Sequence, residues 1–135
     1  MKIDWWLTGI CSSRVFYGLV FMTYAAALPV VQQQWGMSAA AAGSISSGYQ
    51  IGYAISLIVF SVLADRLGPK SLYLWSVSAG AVFSLCFALI ARGYLSGLIL
   101  YTLVGISLGG TYTTGLMLLA DHYPTQKRGM AMGFL

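Results

Sequence analysis

Residues 39–64 have the sequence AAAAGSISSGYQIGYAISLIVFSVLA, which carries no charge and is followed at once by the polar segment DRLGPK at residues 65–70. An apolar stretch of roughly 20 residues is long enough for a helix to cross the hydrocarbon core of a bilayer. Lipid offers no partner to an exposed backbone amide, so a stretch that crosses it must be helical. This segment therefore predicts a membrane-spanning helix that ends at a polar loop.

Similar apolar stretches recur along the chain. We place the spans at about residues 12–31, 39–64, 71–91 and 96–120, with a fifth span beginning at about residue 129. Hydrophobic residues make up 59% of the 135 residues and charged residues only 7%, whereas a water-soluble globule needs more polar groups to cover its surface. The sequence predicts an all-α integral membrane fold of four transmembrane helices plus the start of a fifth, surrounded by the lipid bilayer.

Composition also excludes several function classes. The net charge is +4, but the basic residues stand singly or in pairs between apolar runs, so no nucleic-acid partner is expected. Cys11 and Cys86 lie in or beside apolar stretches without the spacing of a metal site. An enzyme would need a nucleophile with its base, paired carboxylates or a metal cluster, and His122 is the only histidine. We therefore predict no enzyme, no catalytic residue, no metal and no cofactor.

The basic residues predict the orientation of the chain. Short loops rich in lysine and arginine stay on the cytoplasmic side of a membrane. One side carries Arg92 alone, while the N-terminus and the loops after the second and fourth spans carry Lys2, Arg66, Lys70, Lys127 and Arg128. The N-terminus is therefore predicted to be cytoplasmic.

Small residues recur at every fourth position of two spans. The ridge in the second span includes Ser44, Gly48 and Gly52, and a similar ridge in the fourth span includes Gly105 and Gly109. Small residues on one helix face allow another helix to approach closely. These five are candidate helix-packing residues, and an alternative is that the smooth faces slide or rock against each other.

The polar segment after the second span resembles a family signature. Residues 61–70, SVLADRLGPK, are similar to the loop of the major facilitator superfamily that is usually written G-x-x-x-D-R/K-x-G-R/K-R/K. The segments GYQIGY at residues 48–53 and YPTQKRG at residues 123–129 also resemble that family. The resemblance implies that residues 1–135 are part of the N-terminal half of a general-substrate transporter fold, a three-helix repeat followed by the start of its inverted copy.

The resemblance also implies a gating role for the signature loop. Its acidic and basic residues would pair across the cytoplasmic seam with the other half of the transporter and close the inside in the outward-facing state. That role falls on Asp65, Arg66 and Lys70, with Gly68 permitting the turn. Ser61 and Pro69 depart from the family pattern, which implies modified gating. The alternative is an ordinary charged loop that only fixes topology.

Arg14 is the one charge that falls inside a predicted span. A charge at mid-bilayer costs about 3 kcal/mol on insertion scales and is by default a functional hypothesis. If the helix begins near Ser12, the side chain extends to the headgroups beside Trp5 and Trp6, which is the arrangement that we expect. If it begins at Trp5, Arg14 lies about 13 Å deep and could hold an anionic substrate.

The first and fourth helices line the substrate pathway in the family that the chain resembles. Candidate pathway residues are therefore Tyr24, Tyr101 and Tyr112 together with Arg14, although an interhelical hydrogen bond is the alternative role for each tyrosine. The second to fourth spans contain no acidic residue or histidine. A proton-relay carboxylate, if there is one, must come from elsewhere.

The resemblance implies secondary active or facilitative transport of a small solute by alternating access, in the bacterial inner membrane. An apolar segment follows Arg128 and stops at Leu135, so we expect a truncated chain that lacks the C-terminal half and is inactive alone. The alternative function is a small four-helix membrane exporter or scaffold that acts as a homo-oligomer. The small multidrug-resistance exporters have similar length, but their functional glutamate in the first helix has no counterpart here.

Overall fold

The computed structural model of the protein describes residues 5–133, apart from the side chains of residues 6, 7, 127 and 130. The helices are α1 (Trp5–Gln34), α2 (Ala39–Leu67), α3 (Pro69–Ile90), α4 (Tyr94–His122) and α5 (Thr125–Gly133). Four of them, α1 to α4, are long and apolar enough to cross a membrane. The all-α membrane fold expected from the sequence is therefore confirmed.

The residues at the helix ends explain where α2 and α3 begin. Ser38 caps α2, because its Oγ accepts a hydrogen bond from the Ala41 amide at 3.2 Å. Gly68 joins α2 to α3 with φ at 83°, a backbone conformation that glycine adopts without steric cost, and its amide donates to the Ala64 carbonyl at 3.0 Å. Pro69 follows at the first position of α3, where its missing amide hydrogen is not needed.

The helices are longer than the predicted spans. α1 has 30 residues and already includes Trp5, so it does not begin near Ser12. The polar run at Ser12 and Ser13 does not end the helix, because the Ser13 hydroxyl donates to the Ile10 carbonyl at 2.7 Å and shares a hydrogen bond with the Tyr73 hydroxyl at 2.7 Å. α5 likewise begins at Thr125, before the predicted residue 129. The assignment of residues 1–135 to half of a transporter domain stays a prediction.

Helix α4 is the centre of the bundle. It packs against α2 and α3 over most of its length, whereas α1 approaches the other helices least closely. More than half of the most apolar segment of α4, 56%, is buried, compared with 6% for α1. The outward surfaces of the helices are apolar, and Ile58 and Trp75 are 72% and 74% exposed, as expected for side chains that face lipid.

Glycines bring α2 and α4 into backbone contact. A Cβ atom added at Gly105 would collide with the Tyr49 carbonyl oxygen, and one at Gly109 would lie 2.6 Å from the Tyr53 carbonyl oxygen. From the α2 side, a Cβ atom at Gly52 would lie 3.0 Å from the Thr102 carbonyl oxygen. We call this contact the α2–α4 seam, and it also contains Gly48 and, at its outer end, Ser44, whose hydroxyl bonds to that of Tyr94 at 2.9 Å.

Helix α1 contacts α2 and α4 through tyrosine side chains, whereas the α2–α4 seam is formed by glycines. The Tyr24 hydroxyl donates to the Ala42 carbonyl on α2 at 3.0 Å, and the Tyr101 hydroxyl donates to the Phe21 carbonyl on α1 at 3.1 Å. Large side chains between helices hold their backbones apart. The space that remains on either side of these tyrosines forms two cavities.

Candidate functional site

A cavity of about 270 Å³ lies where α1, α2 and α4 meet. It is lined mainly by aromatic side chains together with one guanidinium and one amide. The lining consists of Arg14, Tyr17, Gly18 and Phe21 of α1, Tyr49, Gln50 and Tyr53 of α2, and Leu108 of α4. We call it the Arg14 cavity.

Within residues 5–133, Arg14 contacts an aromatic ring and no carboxylate. The central carbon of its guanidinium lies 4.8 Å from the centre of the Tyr112 ring on α4, which is a cation–π contact. Its Nε atom is buried and has no hydrogen-bond partner within residues 5–133. The guanidinium therefore keeps donor capacity that the surrounding helices do not use.

Two helices give consistent estimates of the depth of Arg14. Counted along α1 from Trp5, Arg14 lies about 13 Å from the start of the helix, and counted along α4 from His122, Tyr112 lies about 15 Å from its end. The contact between Arg14 and Tyr112 thus lies well inside the bundle. The helix start that we linked to a deep, substrate-binding Arg14 is the one observed.

The sequence offers few carboxylates that could neutralise Arg14. Its acidic residues are Asp4, which precedes the described residues, and Asp65 and Asp121. Both of the latter lie in the last turns of their helices and are exposed. A cation in a membrane-spanning segment is costly unless it is paired or faces a polar cavity. The Arg14 cavity is therefore suited to an anion, which arginine binds with two parallel hydrogen bonds.

Two of the candidate pathway tyrosines line the other cavity. Tyr24 and Tyr101 face a space of about 140 Å³ between α1, α3 and α4, where Phe87 and Val104 also lie. Their rings are 4.7 Å apart, and the Tyr101 ring is 4.7 Å from that of Tyr49. Both rings are almost fully buried and both hydroxyls bond to backbone carbonyls. The four candidates thus form two contacting pairs, Tyr24 with Tyr101 in this cavity and Arg14 with Tyr112 beside the Arg14 cavity.

The comparisons with known proteins agree with this architecture. The sequence profile of the Major Facilitator Superfamily matches residues 10–135, which is almost the whole chain. The chain belongs to this superfamily. The recognition of the family from its signature loop is thereby confirmed.

Several named relatives of this facilitator chain are transporters. A gallate transporter of Pseudomonas putida is 37% identical over 102 residues, which cover 76% of this chain and 22% of the relative. A hexuronate transporter of Bacillus subtilis is 31% identical over 112 residues, covering 79% and 25%. A 4-hydroxybenzoate transporter of Pseudomonas putida is 28% identical over 130 residues, covering 96% and 29%. The chain thus spans about a quarter of the length of these relatives.

The facilitator signature loop lies at one end of the bundle. Asp65 and Arg66 are exposed on the last turn of α2, and Lys70 is exposed on the first turn of α3. Lys70 lines a third cavity, of about 370 Å³, together with Asp121 and His122 of α4. Their gating role stays a prediction. Within residues 5–133, no cluster of three His, Cys, Asp or Glu side chains is arranged to hold a metal.

Sequence reasoning did not select three aromatic walls of the Arg14 cavity, Tyr49, Tyr53 and Phe21. Tyr49 and Tyr53 lie one helical turn apart on α2, with ring centres 6.4 Å apart and planes inclined by only 8°. Phe21 of α1 completes the group, with its ring centre 5.2 Å from that of Tyr49. The spacing of four residues was a usable signal, because residues i and i+4 share a helix face. It does not by itself tell which neighbour that face meets.

Proposed function

We propose that this chain forms part of a major facilitator transporter for a small organic anion, and that Arg14 binds the anionic group. The observation that carries the proposal is the buried, unpartnered Nε of Arg14 in a cavity that faces no carboxylate within residues 5–133. Gallate, hexuronate and 4-hydroxybenzoate, the solutes in the names of three relatives, are all carboxylates. Their common chemistry supports an anionic substrate.

The transport cycle that we propose is alternating access. The glycine-packed α2–α4 seam supports movement of these helices as one rigid body, since closely packed backbones resist separation. The Arg14 cavity would then face a second bundle and open to either side of the membrane in turn. Asp65, Arg66 and Lys70 would pair with that bundle across the cytoplasmic seam, with the N-terminus cytoplasmic and the protein in the bacterial inner membrane.

We also propose that these 135 residues do not transport by themselves. The chain spans about a quarter of the length of its relatives and supplies only one side of such a pathway. Proteoliposomes that contain only this chain are expected to take up labelled 4-hydroxybenzoate no faster than empty liposomes. Uptake above that background would instead favour the alternative function, a four-helix exporter that assembles with copies of itself.

The anion-binding role of Arg14 can be tested on this chain in lipid nanodiscs. The probes are 4-hydroxybenzoate and its neutral counterpart 4-hydroxybenzyl alcohol, measured by equilibrium binding at neutral pH. We expect the acid to bind at least about tenfold more tightly than the alcohol, because a bidentate arginine–carboxylate pair forms only with the acid. Arg14→Gln should abolish that difference, whereas the matched control Arg92→Gln, at the exposed turn before α4, should keep it. Equal binding of acid and alcohol by the unchanged protein would contradict the proposal.

A further inference from the structure

The side chains that line the Arg14 cavity indicate which shape of anion it binds. We infer that the site selects a carboxylate attached to a flat aromatic ring over a carboxylate on a saturated or polyhydroxylated skeleton. This inference rests on the proposed binding of an anion by Arg14. The observation behind it is that Tyr17, Phe21, Tyr49 and Tyr53 line the same cavity as the guanidinium.

The rings on α2 provide parallel surfaces. Tyr49 and Tyr53 are inclined by 8° to each other, so both present similarly oriented faces and edges to the cavity. Phe21, inclined by 34° to Tyr49, closes the side toward α1. A flat ring placed there makes offset-stacked or edge-to-face contacts with these rings, which a puckered saturated ring of the same size cannot make equally well.

The position of the cation fixes the direction of the ligand. Arg14 is stacked on Tyr112, so its guanidinium is held in place before any ligand binds. Because Tyr49 and Tyr53 line the same cavity as Arg14, a ligand held there by its carboxylate has their rings within reach. The acid group and the aromatic surface are therefore presented together, and their contributions to affinity reinforce each other.

The size and the lining of the cavity favour a small aromatic acid over a sugar acid. The cavity, at about 270 Å³, is just below the range of roughly 300–1,000 Å³ that is typical for drug-sized ligands, which suits a ligand with one ring. Apart from Arg14 and the tyrosine hydroxyls, Gln50 is the one polar side chain of its lining. Most of this lining is apolar ring surface, on which the hydroxyls of a sugar acid find few hydrogen-bond partners, and each polar group left unpaired on binding lowers affinity.

The experiment compares two anions that differ in their ring. Benzoate and cyclohexanecarboxylate carry the same charge at neutral pH and are similar in size, and their binding to this chain in nanodiscs is measured side by side. We expect benzoate to bind roughly twofold to tenfold more tightly, as aromatic pairing predicts. Tyr53→Leu, at a half-buried position, should remove this preference while cyclohexanecarboxylate affinity is retained. Tyr53→Phe should keep the preference, and Tyr94→Leu, distant in α4 from Leu108 and Tyr112, is the matched control.

The outcomes distinguish a failure of the aromatic preference from a failure of anion binding by Arg14. If both anions bind equally to the unchanged protein, the aromatic selection is wrong, although binding of an anion by Arg14 stands. If neither binds, the proposed function fails and the inference fails with it. If benzoate is preferred equally by the unchanged protein and by correctly folded Tyr53→Leu and Tyr49→Leu variants, the assignment of the preference to these rings is wrong. The comparison in the unchanged protein does not depend on how well any variant folds.

Discussion

The contacts of α4 with α2 and with α1 are built differently. Toward α2 it presents Gly105 and Gly109, which place the two backbones in contact. Toward α1 it presents Tyr101 and Tyr112, which hold the helices apart and reach across to Phe21 and Arg14. Where glycine joins the helices there is no room for a ligand, and where tyrosine joins them two cavities remain. Rigidity and binding are thus assigned to neighbouring contacts of one helix.

The difference has an energetic consequence in a membrane. Lipid is as apolar as the side chains, so close van der Waals packing and not the hydrophobic effect holds membrane helices together. The α2–α4 seam maximises such packing, whereas α1 depends largely on side-chain hydrogen bonds, each contributing about 0.6 kcal/mol on average. We therefore expect substitutions at the seam to destabilise the fold most, and substitutions on the α1 side to alter binding with little loss of stability.

The largest expected effect is at the centre of the seam. Gly109→Ala places a methyl group against the Ser56 hydroxyl and the Tyr53 carbonyl, and the backbone carbonyl cannot move aside cheaply. We expect the free energy of unfolding in mixed micelles to fall by about 3 kcal/mol, the upper end for overpacking. Gly43→Ala on α2 is the matched control, because a Cβ atom there meets nothing within 4 Å. It should be neutral or stabilise by up to about 1 kcal/mol. Equal effects of the two changes would mean that the seam is not closely packed.

The second effect has the opposite sign and lies on the α1 side. Arg14→Leu removes a charge whose burial in a membrane-spanning helix costs about 3 kcal/mol. It also removes a cation–π contact that stabilises the fold by about 1 kcal/mol. The variant should therefore be more stable by about 2 kcal/mol and should no longer bind 4-hydroxybenzoate. Unfolding and binding are measured on the same nanodisc or micelle preparations. A destabilised Arg14→Leu would show that the arginine has a structural partner, contrary to its role as an anion site.

A smaller effect is expected at the turn between α2 and α3. Gly68→Ala forces alanine to adopt φ near 83°, which should lower the free energy of unfolding by about 1 kcal/mol. Gly93→Ala is the control, because Gly93 has an extended backbone at φ −173° with nothing within 4 Å of an added Cβ atom. Thermal unfolding in detergent measures both variants. If Gly68→Ala lowers the free energy of unfolding as much as Gly109→Ala does, the most rigid part of the fold is this turn and not the seam.

The smallest effect is expected at the tyrosine hydroxyls that attach α1. Tyr101→Phe removes the hydrogen bond to the Phe21 carbonyl but keeps the ring, so it should cost about 0.6 kcal/mol and leave anion binding unchanged. Tyr24→Phe, which loses the bond to Ala42, should behave alike. If either change weakens binding of 4-hydroxybenzoate tenfold, the smaller cavity is part of the substrate pathway, as the sequence had suggested for both residues.

Sequence patterns predicted the fold far better than the site. Apolar length and uncharged composition are local properties, so the four spans could be located directly, and the fourfold spacing of Gly105 and Gly109 indicated a close helix contact. The contact between Arg14 and Tyr112 depends on how α1 and α4 are rotated about their axes, which no single segment specifies. Tyr49 and Tyr53 were overlooked for the same reason, since their shared face could equally have met lipid. The start of α1 was placed too late because a span of about 20 residues ending at Val31 was assumed, whereas α1 has 30 residues.

The most direct test of the account is whether an anion contacts the Arg14 guanidinium itself. NMR spectra of the chain labelled with 15N in arginine resolve the Nε–H groups, and the Arg14 signal is assigned by its loss in Arg14→Lys. On addition of benzoate we predict a saturable shift of the Arg14 signal, with the signals of Arg66, Arg92 and Arg128 unchanged. An unchanged Arg14 signal at concentrations where benzoate binds, or equal shifts of all four arginines, would contradict the claim that this cavity is the anion site.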